Sequence, residues 1–257
     1  MYLAYTRAVS PTIADCELTH MPRVAVEVAR AIAEHAAYEQ TLRRLGAQVR
    51  RLAPLPRLPD AVFVEDTAVV LDEIAIITRP GAESRRGERR SVAETLAAHR
   101  SIAVIEEPAT LDGGDVLVDG ERVYVGRSSR TNDAALNQLA TLLHPLGYRV
   151  IPVEFRGCLH LKSAVTRIAD GMLLLNPEWV QASVFSGTRY VAVDPSEPHA
   201  ANALAFGGAV IHPLQFARTR TRLEAEGLRV EAVDTTELAK AEAGVTCCSL
   251  IVRVGRR

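Results

Sequence analysis

The sequence predicts an α/β fold in which five strand–strand–helix–strand units close into a ring around a central site. Three observations predict it. A hairpin pattern recurs along the chain, with two apolar runs separated by a turn-prone DE, DGE or ADG and opened by a polar or acidic cluster. Helical patterns lie between the hairpins, each followed by a short strand. The last hairpin is split, so that the two chain ends supply one strand each, which removes an open sheet edge.

The elements follow in order. MYLAYTRAV supplies one strand of the split unit. Arg23 to Gly46 has apolar residues at helical spacing and a glycine stop, and QVRRLAP then reads as a strand. PLPRLPD is a short loop between units, not a linker, so the whole chain, 1–257, is read as one domain. FVEDTAVVLDEIAIITRP (Phe63 to Pro80) is the first complete hairpin, followed by the helical SVAETLAAHR and the strand IAVIEEP. LDGGDVLVDGERVYVGRS (Leu111 to Ser128) is the second, followed by the helical TNDAALNQLATLLHPLG and the strand YRVIPVE. HLKSAVTRIADGMLLLNP (His160 to Pro177) is the third. ANALAFGGAVIHP (Ala201 to Pro213) is a weaker copy, with helical FARTRTRLEAEG and strand LRVEAVD behind it. TCCSLIVRV closes the ring. The competing arrangement is an open α/β sandwich with ordinary hairpins.

Composition narrows the function. Apolar residues make up 48% of the 257 residues and charged residues 24%, which is ordinary globular usage. A net charge of −1 gives no global field toward nucleic acid or an anionic membrane. No apolar run approaches the ~20 residues of a membrane span, and the N-terminus has no signal-peptide core. With four cysteines, Cys16, Cys158, Cys247 and Cys248, and no secretory signal, a cytoplasmic, reduced protein is expected. The cysteines show neither CxxC nor HExxH spacing, so zinc is not expected. On a strand, Cys247 and Cys248 would face opposite sides, one toward a site and one toward the core. Alternation alone does not say which.

Reactive residue types sit at equivalent starts of the units: Glu65 and Asp66, Asp112 and Asp115, His160, and Cys247. A ring brings these starts together. A thiol, an imidazole and carboxylates converging on one mouth suit covalent catalysis, with the imidazole moving protons and a carboxylate orienting it. Each has a plainer reading. His160 alone would suit a core histidine, and Asp112 and Asp115 would suit turns. Glu65 and Asp66 interrupt an apolar run and need a cationic partner if buried, either a structural arginine or a cationic ligand.

FVEDTAVV, ITRPGAESRR, TLDGGDVL, VYVGRSSRTN, LHLKS and TCCS, in this order, resemble the dimethylarginine dimethylaminohydrolases of the pentein, or guanidine-modifying, superfamily. The resemblance runs from about Leu18 to Val252 and implies a five-bladed α/β propeller. It further implies Cys247 as nucleophile, His160 as general acid/base and Asp112 as the carboxylate orienting the histidine. Asp60, Glu65 and Asp66 would surround the substrate guanidinium. Arg85 and Arg130 would hold its α-carboxylate, Leu18 would belong to a flexible lid, and a backbone carbonyl at Ala241 would meet its α-amino group. Arg127 competes with Arg130, and Asn176 to Asp194 match poorly. The implied activity is hydrolysis of methylated free arginine to citrulline and an amine, with no metal or organic cofactor and no nucleic-acid or membrane partner. A homodimer is the assembly left open. Competing readings are an arginine deiminase or related guanidino-acid enzyme, an amidinotransferase, a non-catalytic binder of cationic amino acids, and a papain-like protease.

Overall fold

The computed structural model describes residues 1–255. Among these, the strands form five three-stranded sheets, each built the same way: a first strand pairs antiparallel with a second, which pairs parallel with a third. In chain order from the first complete hairpin, β1 (Ala68–Val70), β2 (Ile74–Ile77) and β3 (Ser101–Val104) form one blade. β4 (Val116–Asp119), β5 (Arg122–Arg127) and β6 (Arg149–Glu154) form the next. β7 (Val165–Ala169), β8 (Met172–Leu175) and β9 (Arg189–Ala192) follow. β10 (Leu204–Phe206), β11 (Ala209–Pro213) and β12 (Val230–Val233) come after. The split blade joins β13 (Leu250–Arg253) antiparallel to β14 (Tyr2–Thr6), which runs parallel to β15 (Ala47–Arg51). Met1 and Val254 exchange backbone hydrogen bonds at this seam.

The closed-ring expectation is met, and the open sandwich is not. Residues from all five first strands line one axial cavity of about 240 Å³, among them Val69, Leu117, Thr166, Leu204 and Leu250. Four helices join second strands to third ones: α1 (Val28–Arg44), α2 (Arg89–Leu96), α3 (Asp133–Leu143) and α5 (Ala217–Ala225); α4 (Leu161–Ala164) and α6 (Thr236–Ala239) are single turns between a third strand and the next first strand. In α3, Asn132 caps the first turn by accepting from the Ala135 N–H, and Ala135, Leu136, Leu139 and Leu143 form the buried stripe. That stripe packs on Val116, Val123 and Val125 of its own blade and on Val69 and Ile76 of the preceding one. Burying each such leucine contributes about 1.5–3 kcal/mol, so adjacent blades are held by shared apolar faces.

Two expectations need correction. The unit does not repeat five times with a helix: between β8 and β9 the connection carries only a 3-10 turn, Ala182–Phe185. Phe185 fills the space by packing its ring 4.8 Å from that of Tyr124. The first helix also starts later than Arg23. The Arg23 guanidinium donates to the carbonyls of Ala14 and Cys16, and the Glu27 N–H donates to Glu237, so residues 23–27 follow the preceding segment instead. Its end is as expected, with Gly46 at φ +98°.

Candidate active site

Four blades begin with one tight turn ahead of the first strand. These are the 3-10 turns Val64–Thr67, Gly113–Asp115 and Thr246–Cys248, and the single α-turn α4. They crowd around one end of the axis and carry the reactive side chains. The crowding explains LDGGD: a Cβ on Gly113 would lie 2.0 Å from the Glu65 carbonyl oxygen, and one on Gly114 would lie 2.7 Å from His160 Nδ1. Only glycine lets this turn nest between its neighbours.

A small cavity of about 20 Å³ forms among these turns, lined by Asp60, Phe63, Asp66, Arg85, Arg130, His160, Ala241 and Cys247, together with Glu17 and Glu242. His160 Nε2 donates to Asp112 Oδ2 at 3.0 Å, and Asp112 Oδ1 accepts from the Gly81 N–H at 2.9 Å. His160 Nδ1 is left facing Asp66 Oδ1 at 3.9 Å. Asp66 accepts from Arg85 Nη1 at 2.6 Å and from the Gly114 N–H at 2.9 Å. Arg85 donates further to both oxygens of Glu88 and to the carbonyls of Asp60 and Phe63. Arg130 donates to the Thr19 hydroxyl at 3.2 Å, and Asp60 accepts from the Glu17 N–H. The Cys247 sulfur accepts from the Gly244 N–H at 3.4 Å.

Burial and charge set the titration of this group. Burial, then the Glu65 and Asp66 carboxylates, push the Cys247 thiol up to about 12. Burial alone would lower His160, but the Asp66 charge, the Asp112 hydrogen bond and the Asp115 charge outweigh it and raise the imidazole to about 9. Burial would raise Asp66 in turn, yet His160 and Arg85 hold it below the usual carboxylate range. The pair is therefore imidazolium and carboxylate at neutral pH, beside a protonated thiol.

Most of the expected site residues converge, with three adjustments. Glu65 and Asp66 do not grip the same space. Successive residues on a tight turn diverge, and Glu65 turns to the axial cavity, where it accepts from Lys162 Nζ and from the Thr246 hydroxyl, both at 2.6 Å. It reaches the thiol by charge. Leu18 stands off the cavity wall, half-buried against the cluster that contains Phe63, Ala241 and Cys247. The two cysteines lie on a 3-10 turn, not on a strand. Cys248 is buried without lining the catalytic cavity. Arg127 is outside the site, paired with Asp133 and Glu154 on the surface.

Sequence reasoning missed Lys162, Thr246 and Asn202. Asn202 bridges the Lys162 carbonyl and Thr246 and so joins two of the turns. The signal for Lys162 was present, because a carboxylate in an apolar run calls for a cation and LHLKS supplies one. Asp66, Asp112 and His160 lie close enough to hold a metal ion. The two carboxylates already accept from Arg85, from His160 Nε2 and from backbone N–H groups, an arrangement that suits proton chemistry.

This ring of five blades, with a thiol, an imidazole and acids at one end of its axis, defines a pentein. The model of the eukaryotic N,N-dimethylarginine dimethylhydrolase family matches residues 20–183. The chain is 40% identical over 252 residues to the N(G),N(G)-dimethylarginine dimethylaminohydrolase of Streptomyces coelicolor, covering 97% of this chain and 96% of that one. It is 36% identical to the Pseudomonas aeruginosa enzyme of the same name, covering 87% and 89%. A solved structure of the P. aeruginosa protein, a cysteine-to-serine variant complexed with citrulline, superposes with a TM-score of 0.93 at 33% identity, covering 98% of this chain and 100% of that one. A dimethylarginine dimethylaminohydrolase adduct with S-methyl-L-thiocitrulline superposes with a TM-score of 0.91, at the same identity and coverage. The chain belongs to the dimethylarginine dimethylaminohydrolase family.

Proposed function

We propose that this protein hydrolyses Nω-methylated free arginine to citrulline and methylamine or dimethylamine. One observation carries the reading: a thiol, an imidazolium and buried acids share one cavity with Arg130, which donates to the Thr19 hydroxyl, while Arg85 in the same cavity is bound to Asp66. That charge order matches the substrate, a cationic head group at one end and a carboxylate at the other.

The guanidinium lies against Asp66 and Asp60, which accept its N–H groups and hold its carbon near Cys247. The incoming cation offsets the carboxylates that raise the thiol, so the thiolate forms with substrate bound. Cys247 attacks the guanidinium carbon. His160, held at Nε2 by Asp112, gives its Nδ1 proton to the departing amine, and a C–N bond is exchanged for a C–S bond. The neutral imidazole then takes a proton from water, whose oxygen displaces the sulfur and leaves citrulline. Arg130 releases Thr19 to take the substrate carboxylate. Arg85 spends most of its donors on Asp66, Glu88 and carbonyls, so it anchors Asp66 first and lends its remaining Nη1 hydrogen to the carboxylate. The Ala241 carbonyl takes the α-amino group. A cavity of about 20 Å³ has room for about one water, so the segment around Leu18 must open for entry.

The test is product identification. Purified protein is incubated with asymmetric dimethylarginine, monomethylarginine and arginine. Citrulline with dimethylamine or methylamine supports the reading. Citrulline with ammonia, from arginine alone, would make it a deiminase, and no turnover of any of the three would leave a binder. Cys247→Ser should abolish turnover while Cys248→Ser retains it.

A further inference from the structure

Asp115, the second acid of LDGGD, lies outside the catalytic cavity, yet it joins two separate parts of the site. It is fully buried. Its Oδ2 accepts from the hydroxyls of Ser128 at 2.6 Å and Thr131 at 2.7 Å, and its Oδ1 accepts from the Leu161 N–H at 2.9 Å. The Ser128 oxygen in turn accepts from the N–H groups of Arg130 and Thr131, and the Thr131 hydroxyl accepts from the Asp112 N–H. One carboxylate oxygen thus gathers the loop that carries Arg130. The other fixes the residue after His160. The turn that holds Asp115 also holds Asp112.

Direction matters in this network. Both lone pairs of the Ser128 oxygen are taken by N–H groups, so its proton can go only to Asp115. The Leu161 N–H is likewise a donor. Every group facing Asp115 gives a hydrogen, so a protonated carboxyl would leave its own O–H without an acceptor and the ionised form suits the site. An asparagine here must aim its NH₂ either at two donating hydroxyls or at a donating backbone N–H. Both orientations set donor against donor.

We propose that Asp115 is a positioning residue that fixes the spacing between the two ends of the substrate, the Arg130 end that takes the carboxylate and the His160 end that moves the proton. The proposal rests on the roles given to Arg130 and His160 above. It assigns the second acid of the motif a purpose beyond turn formation. Asp115 touches neither substrate nor sulfur and acts only through the two segments it ties.

Two variants test it, with steady-state kinetics on dimethylarginine and a urea melt for each. Asp115→Asn should both raise KM and lower kcat, with kcat/KM falling about a hundredfold or more, because both ends shift. Ser128→Ala loosens only the Arg130 loop and leaves the Leu161 bond intact. It should raise KM severalfold while kcat stays within about threefold of wild type. That split is the decisive readout, since a merely structural residue would lower the folded fraction without dividing KM from kcat. If Asp115→Asn does not fold, Ser128→Ala decides alone. Folded variants with unchanged KM and kcat would overturn the proposal, as would a Ser128→Ala protein that loses kcat as much as it gains KM. Wild-type protein inactive on every guanidine substrate would overturn the functional reading itself, and this proposal with it, a result distinct from active wild type with indifferent variants.

Discussion

Asp112 illustrates how one side chain's hydrogen-bond directions set the chemistry. Its Oδ1 is held by the Gly81 N–H, so an asparagine at this position keeps its carbonyl there and turns its NH₂ toward His160 Nε2. A donor facing Nε2 makes that nitrogen an acceptor, and the imidazole then holds its second proton less tightly. Asp112→Asn should therefore move the alkaline limb of the kcat/KM profile, which reports the free enzyme, to lower pH, away from its wild-type position near the imidazole value of about 9. It should also lower the plateau by roughly 10²–10⁴-fold. A profile with an unmoved limb would mean that another group carries the proton. The placement of the cysteine, the histidine and this aspartate at equivalent starts of a repeat was legible in the sequence, but the choice of Cys247 over Cys248 and of Asp112 over Asp115 came only from the family resemblance. The divergence of Glu65 from Asp66 was not legible. It depends on a 3-10 turn, and an apolar run that reads as a strand hides such a turn.

At the scale of elements, the turns that open the blades matter more to the site than the strands behind them, and three of the bonds that hold the segment over the cavity converge on one side chain. Glu242, at φ +57°, is the one non-glycine residue with positive φ among the described residues. Its carboxylate accepts from the successive N–H groups of Thr19, His20 and Met21. Charge-assisted bonds of this kind contribute about 1.5–3 kcal/mol each, and the residues on either side, Ala241 and Ala243, line the catalytic cavity. Glu242→Ala should free this segment, and tryptic cleavage after Arg23 should accelerate by about tenfold or more, since each ~1.4 kcal/mol lost from a closing equilibrium is a factor of ten. Limited digestion followed by mass spectrometry reads it, and equal cleavage rates would place the restraint elsewhere. The hairpins were legible because two apolar runs around a turn leave few alternatives. The start of α1 was not, because Arg23 and Glu27 keep a helical pattern but spend their bonds elsewhere, Arg23 on the carbonyls of Ala14 and Cys16 and Glu27 on Glu237. The absent helix before β9 leaves its trace as a stretch without helical spacing.

For the molecule as a whole, ring closure makes the place of the chain ends nearly arbitrary, except where a cut passes through the site. Met1 and Val254 are hydrogen-bonded neighbours in the split blade, so a short linker can join the ends without strain. New ends between Gly120 and Glu121 fall at a hairpin tip remote from the thiol, where Gly120 has φ +59° and a Cβ would meet open space. Such a permutant should fold and keep kcat and KM within about threefold of the parent, as cuts at exposed tips are generally tolerated. New ends between Gly244 and Val245 leave the same strands in the same ring but release the turn that seats the sulfur, whose N–H partner is Gly244. That permutant should retain most of its helix and strand signal by circular dichroism and lose turnover. The pair separates two demands on one sheet. Pairing of β13 with β14 holds the ring shut, and the turn just before β13 aims the nucleophile. If both permutants failed alike, closure and catalysis would be a single cooperative event, and the tight turns could not be treated as a site set upon a scaffold.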